Sequence, residues 1–253
     1  MILNADKCHL LVSAPKNVVE QMYVTVGEQV IWESQLERLL GLDIDKKMKF
    51  QEHLMGICKK ASGKLSALIR LAKFTPFEKK RTLMNAYIEM QFSNNHLIWM
   101  FCSSTINNRI NSIHKRALRC VYSDFTSTFE ELLIRDNSVT VHQRNIQLVA
   151  IEMFKIINEL GPPIMKELFV FDESSTNQDR KFLRPNVNHK NTGENTIRYF
   201  GPIVWDEMLP DKFKSIETLV KFKEEIKTWK PENCPCSLCK TCFRGVGYVT
   251  LFE

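Results

Sequence analysis

Three groups of residues in this 253-residue chain have the types and spacing for chemistry. The first is four cysteines, Cys234, Cys236, Cys239 and Cys242, within nine residues. Thiolates are zinc ligands, and zinc takes four of them in a tetrahedron, most often as two Cys pairs separated by a long insert. Cys236-x-x-Cys239-x-x-Cys242 offers two or three ligands, with a partner such as His189 from elsewhere. Cys234-x-Cys236 is tighter than a standard knuckle, so a reduced, locally packed cysteine turn competes with zinc. The second group is cationic: Lys59, Lys60, Arg70, Lys73, Lys79, Lys80, Arg81, Arg109, Lys115, Arg116 and Arg119. Lys and Arg bind phosphate by charge, Arg through a fixed two-donor fork, and such contacts position a duplex without reading its sequence. The third group is acidic and thin. Nucleotidyl transfer needs carboxylates converging on two metal ions. The chain has no Asp-Asp dipeptide, and its one close pair, Asp43 and Asp45, reads as flanking a turn ahead of a basic helix.

Other catalytic signatures are missing. There is no Gly-x-Ser-x-Gly, no His-Glu-x-x-His and no phosphate-cradling glycine loop. His53, His114 and His142 stand in helical or helix-start contexts, where capping, core or surface duty is the default. Cys8, Cys58, Cys102 and Cys120 sit among apolar neighbours and read as small buried hydrophobes. Trp99, Trp205 and Trp229 also have apolar neighbours, which favours core packing over base stacking.

The net charge of +6 conceals an asymmetry. Between Lys46 and Val121 there are fifteen Lys and Arg but three acids, so this block carries +12 and the rest of the chain −6. Concentrated positive potential points to a polyanionic partner, with nucleic acid the commonest; a merely solvated helical surface is the alternative. No stretch has the uninterrupted apolar length of a membrane helix, and Met1 to Val12 lacks the order of a secretory signal. An intracellular location, nuclear or cytoplasmic, is expected.

The elements that must position these groups change character along the chain. Leu10-Leu11-Val12, Tyr23-Val24-Thr25-Val26 and Gln29-Val30-Ile31 are β-prone, with Gly27-Glu28 as a turn, and Leu39 to Asp45 is a further short run. They predict a small hairpin or three-stranded sheet. Phe50, Leu54, Ile57, Ala61, Leu65, Leu68 and Ala72 then mark one face of an amphipathic helix, with Lys59, Lys60, Arg70 and Lys73 on or near the opposite side. A second helix follows Pro76 and carries Leu83, Met84, Tyr87, Ile88 and Met90, running on to Phe92. A third, capped by Ser104 or Thr105, has the stripe Ile106, Ile110, Ile113, Ala117 and Val121, with Arg109, Lys115, Arg116 and Arg119 on the other side. A fourth holds Phe129 to Ile134, and a fifth runs from Val139 to Leu160, stopped by Gly161-Pro162-Pro163. The polar stretch Asp172 to Asn195 reads as a linker or long loop, and a last helix spans Ser215 to Trp229.

Several of these segments, taken in order, carry a resemblance. They are Asn4-Ala5-Asp6-Lys7-Cys8-His9-Leu10-Leu11; Leu39-Leu40-Gly41-Leu42-Asp43-Ile44-Asp45 followed by Phe50-Gln51-Glu52-His53; Ile106 to Arg119; Asn137 to Gln147; Gly201-Pro202-Ile203-Val204-Trp205-Asp206; and Cys234-Pro235-Cys236-Ser237-Leu238-Cys239-Lys240. Together they resemble the carboxyl-terminal region of a reverse transcriptase from a non-LTR (LINE-type) retrotransposon. The resemblance covers almost the whole chain, and the ordered series is more specific than any one piece.

The resemblance implies a mainly α fold: an N-terminal β-hairpin element, a thumb-like helical bundle and an irregular C-terminal region. It divides the chain into a residual palm and primer-grip β element (1–46), a thumb-like helical domain (47–170), a linker or long loop (171–198) and a C-terminal region with the Cys cluster (199–253). The palm strands with paired aspartates, which should precede Asn4, are not in this sequence. The expectation is therefore a fragment of an RNA-directed DNA polymerase with no catalytic residues of its own, not an enzyme by itself. It would retain non-sequence-specific binding to the backbone of an RNA/DNA template–primer. Magnesium would belong only to the intact parent enzyme, with the missing palm as a protein partner and no membrane or small-molecule substrate. The alternatives are a helical protein-interaction module or a non-functional retroelement remnant.

Overall fold

The computed structural model describes residues 4–13, 21–171, 182–187, 193–232, 234–236 and 238. The fold is mainly α with small antiparallel strand pairs. Two separate hairpins lead. Strands β1 (Tyr23–Val26) and β2 (Gln29–Trp32) pair from Tyr23↔Trp32 to Val26↔Gln29 around Gly27, whose φ of 64° suits the turn. Strands β3 (Leu36–Leu39) and β4 (Leu42–Asp45) pair around Leu40-Gly41, both at positive φ. The expected strand at Leu10-Leu11-Val12 is reduced to a single parallel bridge, Leu10↔Glu33, and no three-stranded sheet forms among the described residues. Buried Glu33 ties the hairpins together, through an ion pair to Lys46 and by accepting the Met22 N–H at 3.2 Å. Those two hydrogen bonds, the Lys46 one foremost, hold the Glu33 carboxyl below its ordinary pKa.

Four helices form the first core: α1 (Gln51–Leu71), α2 (Phe77–Tyr87), α4 (Ser104–Tyr122) and α5 (Phe129–Asp136), with the one-turn α3 (His96–Trp99) between α2 and α4. The predicted stripe of α1 is its buried face: Leu54, Cys58, Ala61 and Leu65 are fully enclosed, against Met84 of α2, Leu118 of α4 and Leu132 of α5. The second helix ends earlier than expected. It stops at Tyr87 with Ile88 as its cap, and Glu89–Phe92 forms a separate 3-10 turn. The cap of α4 is Ser103, one residue before the two candidates, and its hydroxyl accepts the Ile106 N–H at 3.4 Å. Thr128 opens α5, and Thr140 opens α6 (Val141–Ile157), each with a reciprocal capping box.

Helix α6 builds a second core. Its Ile146, Ala150, Met153 and Phe154 pack with Phe200, Val204, Phe222 and Ile226 from the C-terminal third of the chain. The Phe154 ring stacks on Phe222 at 4.4 Å and lies 6.4 Å from Trp205. The sequence around Trp205 is helical in an unusual way: Ile197–Pro202 is an α-helix that widens into a π-helical segment, Ile203–Met208. Pro202 has no N–H to give to the ladder, and the widening begins at the next residue. The last helix is shorter than predicted. It covers Leu219–Glu225 from a Thr218 cap, after a separate turn at Asp211–Lys214. No helix among the described residues is long and apolar enough to cross a membrane.

Candidate nucleic-acid interface

The eleven cations singled out by sequence divide into two populations. Lys59, Lys60, Arg70, Lys73, Lys79, Arg109 and Arg116 are exposed, and Lys115 is half-buried. On α1, Lys59 and Arg70 lie roughly opposite the Leu54–Cys58–Ala61–Leu65 stripe, as about 100° per residue requires. Helix α4 packs closely on α1, and the Arg109 guanidinium reaches back to the Met55 sulfur at 3.5 Å, so both helices contribute cations beside one seam.

The other three are engaged within the fold. Lys80 is buried and donates to the Cys120 carbonyl at 3.4 Å and the Ser123 hydroxyl at 3.1 Å. Arg81 forms an ion pair with the buried Asp136 carboxylate at 2.8 Å and with Glu89 at 3.1 Å. Arg119 donates to the Ser127 carbonyl at 3.1 Å, holding the loop between α4 and α5. Each lies where a helix meets its neighbour. The helical wheel puts Lys80 and Arg81 beside the buried side of α2 and Arg119 opposite the apolar stripe of α4, but it does not say what the next element brings there.

Some cations elsewhere in the chain have acid partners. Arg38 pairs with Asp43, Lys46 with Glu33, Arg135 with Asp124, Lys155 with Glu152, Lys166 with Glu159 and Arg184 with Glu207. Among the described residues, none of Lys59, Lys60, Arg70, Lys73, Lys79, Arg109, Lys115 or Arg116 is within ion-pair distance of a carboxylate. Seven of these eight are exposed to solvent. A groove of about 760 Å³ opens beside Lys60, lined also by Arg38, His53, Asn94 and His96, with no acid in its wall. Arg38 and His96 escaped the sequence reading because they lie outside the basic helical stripes. Their only sequence signal is position, in the hairpin and turn that flank α1.

The acidic pair is spent on structure. Asp45 accepts the backbone N–H groups of Lys47, Lys49 and Phe50, the last at 2.5 Å, and so fixes the turn into α1 in which Met48 and Phe50 are left-handed. Asp43 faces Arg38 across the hairpin and His53 at 3.4 Å. Trp99, Trp205 and Trp229 are buried, as expected. Burial pushes the Cys102 thiol up to about 12, which makes it inert near neutral pH.

No protein-family model matches the chain, and no curated protein or solved structure is similar to it.

At the cysteine cluster, Cys239, Cys242 and the suggested partner His189 lie outside the described residues. Cys234 and Cys236 meet a different histidine. The Nε2 of buried His142, in the first turn of α6, is 3.9 Å from the Cys234 sulfur and 3.4 Å from that of Cys236. Sequence had given His142 an ordinary helical role, because 92 and 94 residues separate it from the two cysteines.

Proposed function

We propose that the chain binds the sugar–phosphate backbone of a nucleic-acid duplex through the outer sides of α1 and α4. The single observation behind this reading is the set of eight cations, from Lys59 to Arg116, that lie on α1 and α4 and on the turn and helix next to them, in the acid-poor block of the chain, with no carboxylate within ion-pair distance among the described residues. Folding gains nothing from leaving like charges unpaired on neighbouring helices, whereas a polyanion neutralises all of them at once. Contacts of this kind carry no base readout, so the binding is insensitive to sequence. The resemblance to the post-catalytic region of a LINE-type reverse transcriptase favours an RNA/DNA template–primer as the duplex. It also assigns the exposed apolar side of the two hairpins, with Tyr23, Trp32 and Leu40, to a palm domain of the parent polymerase.

Titration of the full chain with a labelled RNA–DNA hybrid across a salt series tests this. If about half of the eight cations engage phosphate, the log–log slope of affinity against salt is about −4. Arg116→Ala and Lys59→Ala each flatten the slope by about one, whereas Lys80→Met leaves it unchanged. An affinity indifferent to salt rejects the reading and favours a protein-interaction module.

A further inference from the structure

The second core has its own candidate for chemistry, independent of duplex binding. His142, Cys234 and Cys236 each offer one ligand atom, and the three atoms lie within 4.8 Å of one another. For zinc bound at about 2.3 Å by sulfur and 2.0 Å by nitrogen, a tetrahedral site requires N···S edges of about 3.6 Å and an S···S edge of about 3.8 Å. The observed N···S separations of 3.4 and 3.9 Å bracket that edge. Nε2 is the nitrogen that faces the sulfurs, which leaves Nδ1 to carry the ring proton and gives the neutral imidazole a lone pair for a metal. The positive end of α6 lies beside the cluster and favours anionic sulfur there. The backbone is already drawn in. Gln143 donates its amide to the Pro231 carbonyl at 3.2 Å, and Gln147 to the Trp229 carbonyl at 2.6 Å. Residues 229–232 and 234–236 are thus laid against the start of α6, and a cation between His142 and the cysteines would close that seam.

We propose that His142 Nε2 and the Cys234 and Cys236 sulfurs bind a zinc ion that staples the C-terminal segment to α6. Binding takes both cysteines as thiolates, so two thiol protons pass to solvent and the histidine contributes only its lone pair. The soft sulfur donors select zinc over magnesium or calcium. Cys239 and Cys242 follow in the sequence outside the described residues, and the proposal does not depend on either. A thiol donating its proton to Nε2 would give similar separations without a metal, so the experiment must separate the two.

Cobalt(II) titration of the reduced full chain is the probe, since tetrahedral thiolate ligation gives a sulfur-to-cobalt charge-transfer band and intense visible bands. The expected result is about one cobalt per chain, displaced by zinc, with both signals lost in Cys236→Ser and His142→Ala. Should His142→Ala fail to fold, His142→Cys decides. It replaces the nitrogen by a sulfur ligand, and a folded His142→Cys chain should bind cobalt with a stronger charge-transfer band. A folded wild-type chain without the band overturns the proposal. So does an undiminished band in His142→Ala, or a folded His142→Cys chain that binds no cobalt.

Discussion

Lys79, Lys80 and Arg81 are three consecutive cations in three different surroundings. Lys79 faces solvent, Lys80 is buried against the end of α4, and Arg81 bridges Glu89 and Asp136. The same dependence on surroundings governs His114. It is enclosed by α4 and α5, with the Phe129 ring edge-on at 5.4 Å. Burial holds its imidazole down to about 4, against the opposing pull of Asp136. In the unfolded chain a histidine titrates near about 6.5. As pH falls from about 6.5 to 4, the unfolded state takes up a proton that the folded state refuses, so stability falls through that window by up to about 3 kcal/mol. Above it both states are neutral at this residue and the contribution is fully present. Urea unfolding at pH 7 and pH 4.5 measures the loss. His114→Gln should show a fall smaller than wild type by about 2 kcal/mol, and parallel losses in the two proteins would contradict the assignment.

Among the elements, α6 has the most to do. It begins at a reciprocal cap, carries the central residues of the second core and presents His142, Gln143 and Gln147 to the C-terminal segment. One of its neighbours is Ile197–Pro202, and Gly201 makes that approach possible. A Cβ at Gly201 would stand 2.5 Å from the Met153 sulfur, inside normal contact distance. Gly201→Ala therefore sets two effects against each other. Removing a helical glycine gains about 0.5–1 kcal/mol, while overpacking a closed core costs about 1–3 kcal/mol. Met153 is fully buried and cannot swing out to solvent, so the cost prevails. Equilibrium denaturation should show a loss of about 1–2 kcal/mol for Gly201→Ala, and less than additive loss when it is combined with Met153→Ala. A stabilised Gly201→Ala would show that the α6 contact is looser than drawn.

On the scale of the whole molecule, charge and apolar surface are segregated. The acid-poor block of cations lies on α1, α2 and α4, and the hairpins ahead of them leave large apolar side chains in water: Tyr23 is 59% exposed, Trp32 55% and Leu40 95%. The Tyr23 and Trp32 rings pair across the strands at 5.1 Å, yet neither is covered. Contiguous exposed apolar surface on a sheet invites association. Sedimentation velocity over a concentration series should show the chain self-associating, and Trp32→Lys with Leu40→Lys should return it to monomer. Association that persists in the double variant would place the sticky surface elsewhere.

Much of this was legible in the sequence, for a physical reason. Helical periodicity, capping residues and turn glycines act over a few residues, so the stripes of α1 and α4, the Gly27 turn and the buried tryptophans follow from local pattern. The charge block between Lys46 and Val121 is likewise fixed by order alone. Tertiary structure decided which cations are available. Lys80 and Arg81 sit at the margin of α2 and Arg119 opposite the stripe of α4, and only the docking of α4, α5 and the loop between them engages all three. Where a small hairpin or a three-stranded sheet was expected, it also formed two separate hairpins, because hydrogen-bond register is chosen between strands rather than within them. And it brought His142 to Cys234 and Cys236 across more than ninety residues, a convergence set by how α6 packs on the C-terminal core, which no spacing along the chain encodes.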